Sequence, residues 1–469
     1  MFFYVTAAGF LASLLLGGAT QHGSVSDAIL QIVSVPFMLV AIWRLGGVPK
    51  STPLRWSIAF CAAIVALPLL QLAPLPPILW THLPGRNALA SAYALLGDPL
   101  AWAPISLARD ATWLSALSLL PPLALFLAVV TLNWRDRRRL SLVLAAFAVV
   151  SGLIGLMQKA QGSDSVFRFY ASVDATQPLG FFPNQNLLAA LLYCGAMTTT
   201  AWMLASLNPR RSNRRSQNRQ TMAIAVGSGL ALLTLISVEI VTRSRAGVFL
   251  MFVGLCVLLA VAFFRSSEGG LGEDDIDEAQ WRLGRPAIGG IIALVGAALL
   301  FVGWSSLGAL LDRLARDPLG DERPVFARVT FLAAEAFLPA GSGLGTFIPT
   351  YQMFEKPKDL FVISYANHAH NDLLELALET GIGGLLLVCV FLAWLIIRAR
   401  RALMDERRPV TADTYLVDAS IVTILLLLIH SLVDYPLRTS ALASVFAFSC
   451  ALLIEPPAAA LPRRADRRR

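Results

Sequence analysis

Roughly twelve stretches of this chain, each about 17 to 22 residues long, are almost wholly apolar, and nothing else in the sequence restricts its fold so severely. They lie near 2–18, 26–44, 56–75, 113–132, 140–157, 186–207, 222–241, 246–264, 287–304, 381–398, 416–433 and 438–454. A helix of such length, rising about 1.5 Å per residue, spans the roughly 30 Å hydrocarbon layer of a bilayer. Lipid offers no hydrogen bonds, so backbone inside it must bond within its own segment. That predicts an all-α fold, a polytopic transmembrane bundle of about 12 unbroken spans. The balance of 56% hydrophobic and 14% charged residues over 469 positions supports the same class, soluble domains being about 45 to 50% apolar. A cytosolic enzyme, a secreted disulfide scaffold and a nucleic-acid-binding domain are thereby excluded, although the net charge of +8 alone would suit a polyanion. Cys61, Cys194, Cys256, Cys389 and Cys450 all fall inside apolar runs and read as small core residues, not as a disulfide framework or metal knuckle. The first basic residue is Arg44, so the opening run lacks the charged flank of a cleavable signal and is expected to be a retained span.

The loops sort by charge. Arg44, Lys50 and Arg55, the run Arg135 to Arg139, the cluster Arg210 to Arg219, Arg265 with Arg282 and Arg285, Arg398 to Arg408 and the tail after Arg463 alternate onto one face. Together they hold roughly 25 of the 38 Lys and Arg residues, which by the positive-inside rule makes that face cytoplasmic and places both termini there. Its arginine clusters and the acidic stretch Glu273–Glu278 read as solvated linkers. The outer face then carries segments 77–112 and 158–185, a tight loop at Arg243–Ala246, a long loop at 305–380 between spans nine and ten, and the turn Asp434–Arg438. Within the long loop, Leu307, Leu310, Leu311 and Leu314 share one helical face, as in a helix lying on a bilayer. No internal repeat is visible, the longest loop does not divide equal halves, and few ionisable residues sit at mid-span depth. These features count against a transporter or flippase.

Most of the unusual polar residues are on the outer face. His368, His370, Asn371 and Asp372 crowd the start of a helical pattern in which Asp372 and Glu375 have capping-box spacing. A helix N-terminus favours neutral imidazole and attracts phosphate, so His370 there could take a proton from a hydroxyl. The same His368, His370 and Asp372 could ligate a metal, but no second His or Cys cluster completes a set, and neither metal nor cofactor is expected. Arg243 and Arg245 join two spans with almost no linker, which presses them against headgroups or the bundle interior; guanidinium forks suit phosphate. Asn184 and Asn186 open a span after Pro183 and either cap it or bind a sugar or phosphate. Arg328 precedes an amphipathic stretch ending in Gly341, Gly343 and Gly345, glycines that follow a helical pattern and so do not form a dinucleotide fingerprint. They read as a turn re-entering the membrane interface. His430, Asp434 and Arg438 close the set, with mutual charge pairing an equally open reading.

The ordered series Pro183, Asn184 and Asn186; Ser244 to Gly247; Arg328 with the later glycines; His370, Asn371 and Asp372 followed by Glu379 and Gly381; and the His430 to Arg438 turn resembles the O-antigen ligase and polymerase superfamily over roughly residues 180–440. One departure is Leu332, where the family often has an aromatic residue. The resemblance implies N-terminal transmembrane helices at 1–180, a ligase-like membrane domain at 181–455 that includes periplasmic loop 305–380, and a basic cytoplasmic tail at 456–469. It implies transfer of a glycan from undecaprenyl pyrophosphate to a glycan or lipid A-core acceptor at the periplasmic face of a bacterial inner membrane. His370 would be the first and His368 the second choice of base, with Arg245 at the leaving pyrophosphate. Arg243, Arg328, Asn184, Asn186, Asn371, Asp372, His430, Asp434 and Arg438 would bind substrate. Ligase and polymerase stay open as alternatives.

Overall fold

A computed structural model describes residues 1–20, 23–97, 99–170, 176–207, 215–268, 322–360, 366–405 and 410–456. The expected span at 287–304, the interfacial helix at 307–316, the acidic stretch 273–278 and the tail 457–469 lie outside them.

In chain order the helices are α1 (Phe2–Leu16), α2 (Val25–Gly46), α3 (Thr52–Leu72), α4 (Pro77–Trp80), α5 (Asn87–Leu96), α6 (Arg109–Ser118), α7 (Leu120–Val130), α8 (Trp134–Gln161) and α9 (Gln185–Leu207). They continue with α10 (Arg215–Thr242), α11 (Arg245–Glu268), α12 (Arg323–Phe337), α13 (Phe347–Gln352), α14 (Asp372–Met404), α15 (Ala412–His430) and α16 (Ser440–Leu452). A two-residue ribbon, Pro74–Leu75 against Ala103–Pro104, ties the segment after α3 together. Several helix starts are written in the sequence: the side chains of Ser24, Asn133, Asn371, Thr411 and Thr439 each accept a first-turn N–H.

Among the described residues 9 helices, counting α6 and α7 together, are long and apolar enough to cross a membrane. The expected first and last spans are helical but shorter, at 15 and 13 residues. The expectation of unbroken spans is corrected twice. The ladder lapses at Leu119, because Pro121 and Pro122 have no N–H to bond the end of α6. In α14 it is interrupted at Gly381, whose φ of 59° and ψ of −147° lie outside the helical region.

α9 is the hub: it packs against α8, α10, α11 and α15, and almost its whole circumference is buried. α7 is similarly enclosed, between α2 and α16. A second, smaller core of Phe326, Val329, Phe337, Phe347, Tyr351 and Leu378 lies where α12, α13 and the start of α14 meet. Peripheral helices carry apolar residues outward, as lipid contact requires: Leu386, Val390, Ile396 and Ile397 of α14 are exposed. Cys194 and Cys450 are buried as expected, whereas Cys389 faces out from α14.

The arginine clusters at the start of α8 and towards the ends of α11 and α14 are only partly solvated linkers. Arg137 is fully buried and donates to the carbonyls of Val129, Val130, Leu132, Ala451 and Ile454, the unsatisfied C-terminal groups of α7 and α16. Arg398 donates to Leu453 in the same way. Arg265 forks onto Asp418 at 2.8 and 2.9 Å, and Arg138 onto Asp413 at 2.5 and 2.7 Å.

Candidate active site

At the opposite end of the bundle the chain enters α14 through His368–Asn371. Asn371 accepts from the N–H groups of Leu373 and Leu374 and is therefore the cap, one residue before the expected capping box. Asp372 is stapled to the end of α15: its N–H donates to the Ser431 carbonyl at 2.8 Å, and its carboxylate accepts from the Ser431 hydroxyl at 2.8 Å.

This leaves His370 in the left-handed region, at φ 50°. Among the described residues the only other non-glycine residue there is Arg243, at φ 57°. Such backbone is costly for a residue with a Cβ and is held only where the surroundings dictate it. The His370 ring stacks on Phe326 and meets Tyr435 edge-on at 4.9 Å. Its Nδ1 faces Oδ1 of Asp434 at 3.2 Å, short of hydrogen-bond alignment. A carboxylate facing Nδ1 favours the tautomer protonated there, which leaves the lone pair on Nε2, an atom with no protein partner among the described residues.

Asp434 is 1% exposed and accepts from Asn186 at 2.6 Å and from the Tyr435 N–H at 3.0 Å, with Arg323 at 3.5 Å. Burial alone would raise its carboxyl, but His370, Arg323 and His430 outweigh that and hold it well below the usual carboxylate range. Asn184 caps the helix. Its oxygen accepts the Asn186 N–H at 2.8 Å as a cap, and its amide reaches the Tyr435 hydroxyl at 3.5 Å.

His368 is placed quite differently. Its Nδ1 lies 2.9 Å from Glu375 and its Nε2 3.0 Å from the Thr20 carbonyl, so both ring nitrogens face acceptors. Burial disfavours the charged ring, but the Glu375 carboxylate outweighs it and raises the His368 pKa. A ring donating from both nitrogens has no lone pair to offer. Glu375 also accepts the Ala369 N–H at 2.8 Å, the contact that draws the loop back over α14. Arg438 binds three carboxylates, those of Glu379 at 2.7 Å and of Asp372 and Glu375 at 3.4 Å each. Burial lowers its pKa, yet those neighbours raise it beyond the ordinary arginine value.

His430 is 1% exposed, with Nδ1 3.2 Å from the Tyr193 hydroxyl, beneath the cluster and not in it. Arg328 pairs with Asp359 at 2.6 Å. Gly341, Gly343 and Gly345 pack against neighbouring backbone: a Cβ on Gly341 would lie 2.5 Å from the Glu379 carbonyl oxygen. One residue at the end of α3 and one of the first outer segment hold that loop. Gln71 donates to the Glu379 carbonyl and accepts from the Leu344 N–H, and buried Arg86 donates to the Gly341 carbonyl.

Arg243 and Arg245 are exposed on the same end, and among the described residues no acid pairs with either. Their turn abuts α9 through Gly247, whose Cβ would lie 2.5 Å from that of Ala189, one helical turn from Asn186. Among the described residues no group of three or more His, Cys, Asp or Glu side chains is arranged to hold a metal ion.

Arg323, Tyr435, Tyr193 and Gln71 carry no mark in the sequence that singles them out. Arg323 and Tyr435 each lie within five residues or one residue of a chosen position, but nothing local marks them; their partners are more than a hundred residues away or across the loop.

No curated protein matches the chain. Residues 230–389 match the family model described as O-Antigen ligase. The matched segment contains Arg243, Arg245, Arg328, His368, His370, Asn371 and Asp372, and stops short of His430, Asp434 and Arg438. Through that segment the chain is similar to the O-antigen ligase family.

Proposed function

We propose that the chain is an O-antigen ligase-type glycosyltransferase of a bacterial inner membrane. It moves a glycan from undecaprenyl pyrophosphate to an acceptor sugar, such as lipid A-core, at the periplasmic face, with both termini in the cytoplasm. The observation that carries this reading is His370: a strained, partly exposed imidazole whose Nδ1 faces a buried carboxylate and whose Nε2 is open. The arrangement suits general-base removal of a hydroxyl proton, and it favours His370 over His368.

In the proposed step the acceptor oxygen gives its proton to Nε2 and forms a bond to the anomeric carbon. The bond from that carbon to the pyrophosphate breaks, and its electron pair leaves on the phosphate oxygen. Asp434, hydrogen-bonded by Asn186 and with Arg323 beside it, stabilises the imidazolium that results. Arg245, with Arg243, neutralises the departing pyrophosphate; both are exposed and carry no competing acid among the described residues. No step requires a metal or cofactor.

A polymerase of the same superfamily would use the same chemistry with a growing chain as acceptor. A deletion strain separates the readings. Full-length carrier-linked polymer accumulating without surface glycan is expected for a ligase, single repeat units on the surface for a polymerase, and repeat units trapped on the cytoplasmic leaflet would refute both.

A further inference from the structure

At the site end α8 and α10 finish side by side, and α11 begins beside them. Lys159, in the last turn of α8, is half-buried and its Nζ reaches the Val241 carbonyl at 3.4 Å, two residues before Arg243. That contact uses one of three ammonium protons. Three cations from two different connections, Lys159, Arg243 and Arg245, are thereby brought to the turn after Val241, and among the described residues none is paired with an acid.

The start of α11 adds donors. Ser244 takes up the Gly247 N–H through its hydroxyl and the Val248 N–H through its carbonyl, which leaves the N–H groups of Arg245 and Ala246 without a partner among the described residues. Directly beneath, Glu239 is 1% exposed and neither of its carboxyl oxygens has a hydrogen-bond partner. It lies against Gly247, where a Cβ would come within 2.3 Å of Oε1. Buried polar groups are normally satisfied, so Glu239 leaves hydrogen-bonding capacity open beside the turn that carries the two arginines.

We propose that Lys159 is a third phosphate-binding cation, which with Arg243 and Arg245 makes this corner a site for two linked phosphates in preference to one. The proposal rests on the transfer reading above and adds its leaving group's recognition. A single phosphodiester carries one negative charge and is matched by one guanidinium fork. A diphosphate carries two or more and spreads them over two phosphorus centres, which a fork and a separate point charge from another helix can divide between them. Lys159 lies outside residues 230–389, so the family match assigns it no role.

The test uses the purified full chain in nanodiscs of phosphatidylcholine, with a polyprenyl diphosphate, the matching monophosphate, inorganic pyrophosphate and phosphatidylglycerol as probes. The wild type is expected to bind the polyprenyl diphosphate at least about tenfold more tightly than the monophosphate. Lys159→Ala and Lys159→Gln should weaken diphosphate binding by about tenfold, as loss of one charge-assisted contact implies, and change monophosphate binding by less than about twofold. Lys159→Arg should retain the preference. Inorganic pyrophosphate should compete, and phosphatidylglycerol should not.

Diphosphate binding at wild-type strength in both Lys159→Ala and Lys159→Gln, while Arg245→Ala loses it, sinks the third cation and leaves the transfer reading standing. Equal loss of both phosphates with a fall in thermal midpoint makes Lys159 a structural cap on α10 and overturns the proposal. Equal competition by phosphatidylglycerol makes the corner a headgroup contact and overturns it too. Failure of the wild type to bind any polyprenyl diphosphate defeats the transfer reading as well.

Discussion

The two ends of the bundle are both rich in arginine, and they use it in opposite ways. At the end where α7 and α16 finish, Arg137 and Arg398 are buried and spend their donors on helix-terminal carbonyls, while Arg265 forks onto Asp418. At the other end, Arg243 and Arg245 are exposed and no acid among the described residues engages them. The difference shows that residue type and topology do not separate a structural guanidinium from an available one; the acceptors around it do. A fork already saturated by backbone oxygens holds helices together, and a fork left unsaturated at a water boundary is free for an anion.

The sharpest test of this contrast is its chemical centre. His370→Ala should lower transfer by about a thousandfold, the usual scale for a general base, with insertion into the membrane unchanged. His368→Ala should instead lower the amount of folded protein, because His368 joins Thr20 to Glu375. Equal loss of turnover per folded molecule in both would erase the distinction between the two rings.

Arg137→Ala should destabilise the bundle by about 3 kcal/mol, since it orphans several buried carbonyls at once, and leave turnover per folded molecule near wild type. Thermal unfolding in detergent alongside a transfer assay would measure both. Arg245→Ala should give the reverse pattern, transfer lower by about a hundredfold and an unchanged thermal midpoint. Arg245→Lys should fail nearly as badly, because an ammonium has no bidentate fork. Full activity with lysine would make Arg245 a topological charge like those of the far end.

Gly247→Ala sharpens the comparison from beneath. Its Cβ would press on Glu239 at 2.3 Å and on Ala189 at 2.5 Å, at an expected cost of about 1 to 3 kcal/mol measured by thermal unfolding. The smallest effect is in pH. The folded-state pKa of His368 is raised, so its contribution to stability is full below the unfolded value of about 6.5 and is lost as pH rises through the folded value. The thermal midpoint should therefore drift downward above neutral pH, and His368→Gln should flatten that drift.

Span positions were legible because hydropathy is local: eleven of the twelve apolar runs coincide with helices, and the twelfth lies outside the described residues. The break at Leu119 was legible too, in Pro121 and Pro122, had the missing donors been weighed against the apolar run. The site was legible only in part. His370 and Asp434 were both picked out, but their pairing, and that of Asn186 with Asp434 248 positions away, is a product of tertiary packing. The capping role of the far-end arginines is illegible for the same reason: an arginine that caps a helix end in α16 carries no mark of it in α8.

The interruption at Gly381 sits near a boundary. From Ile382 to Ile397, before the first arginine of α14, the helix runs about 24 Å at 1.5 Å per residue, so a hydrocarbon layer about 30 Å thick would reach about one turn beyond the glycine. His370 and the first turn of α14 would stand above it, beside the smaller core of α12 and α13. On the transfer reading proposed above, a lipid-anchored substrate would then have to raise its reacting carbon about 8 Å beyond the hydrocarbon surface, the rise of that first turn and a half. The carrier's phosphates would stay at headgroup level while the sugar is lifted to the histidine, and the stub of helix between them would act as a ruler for how far the two are kept apart.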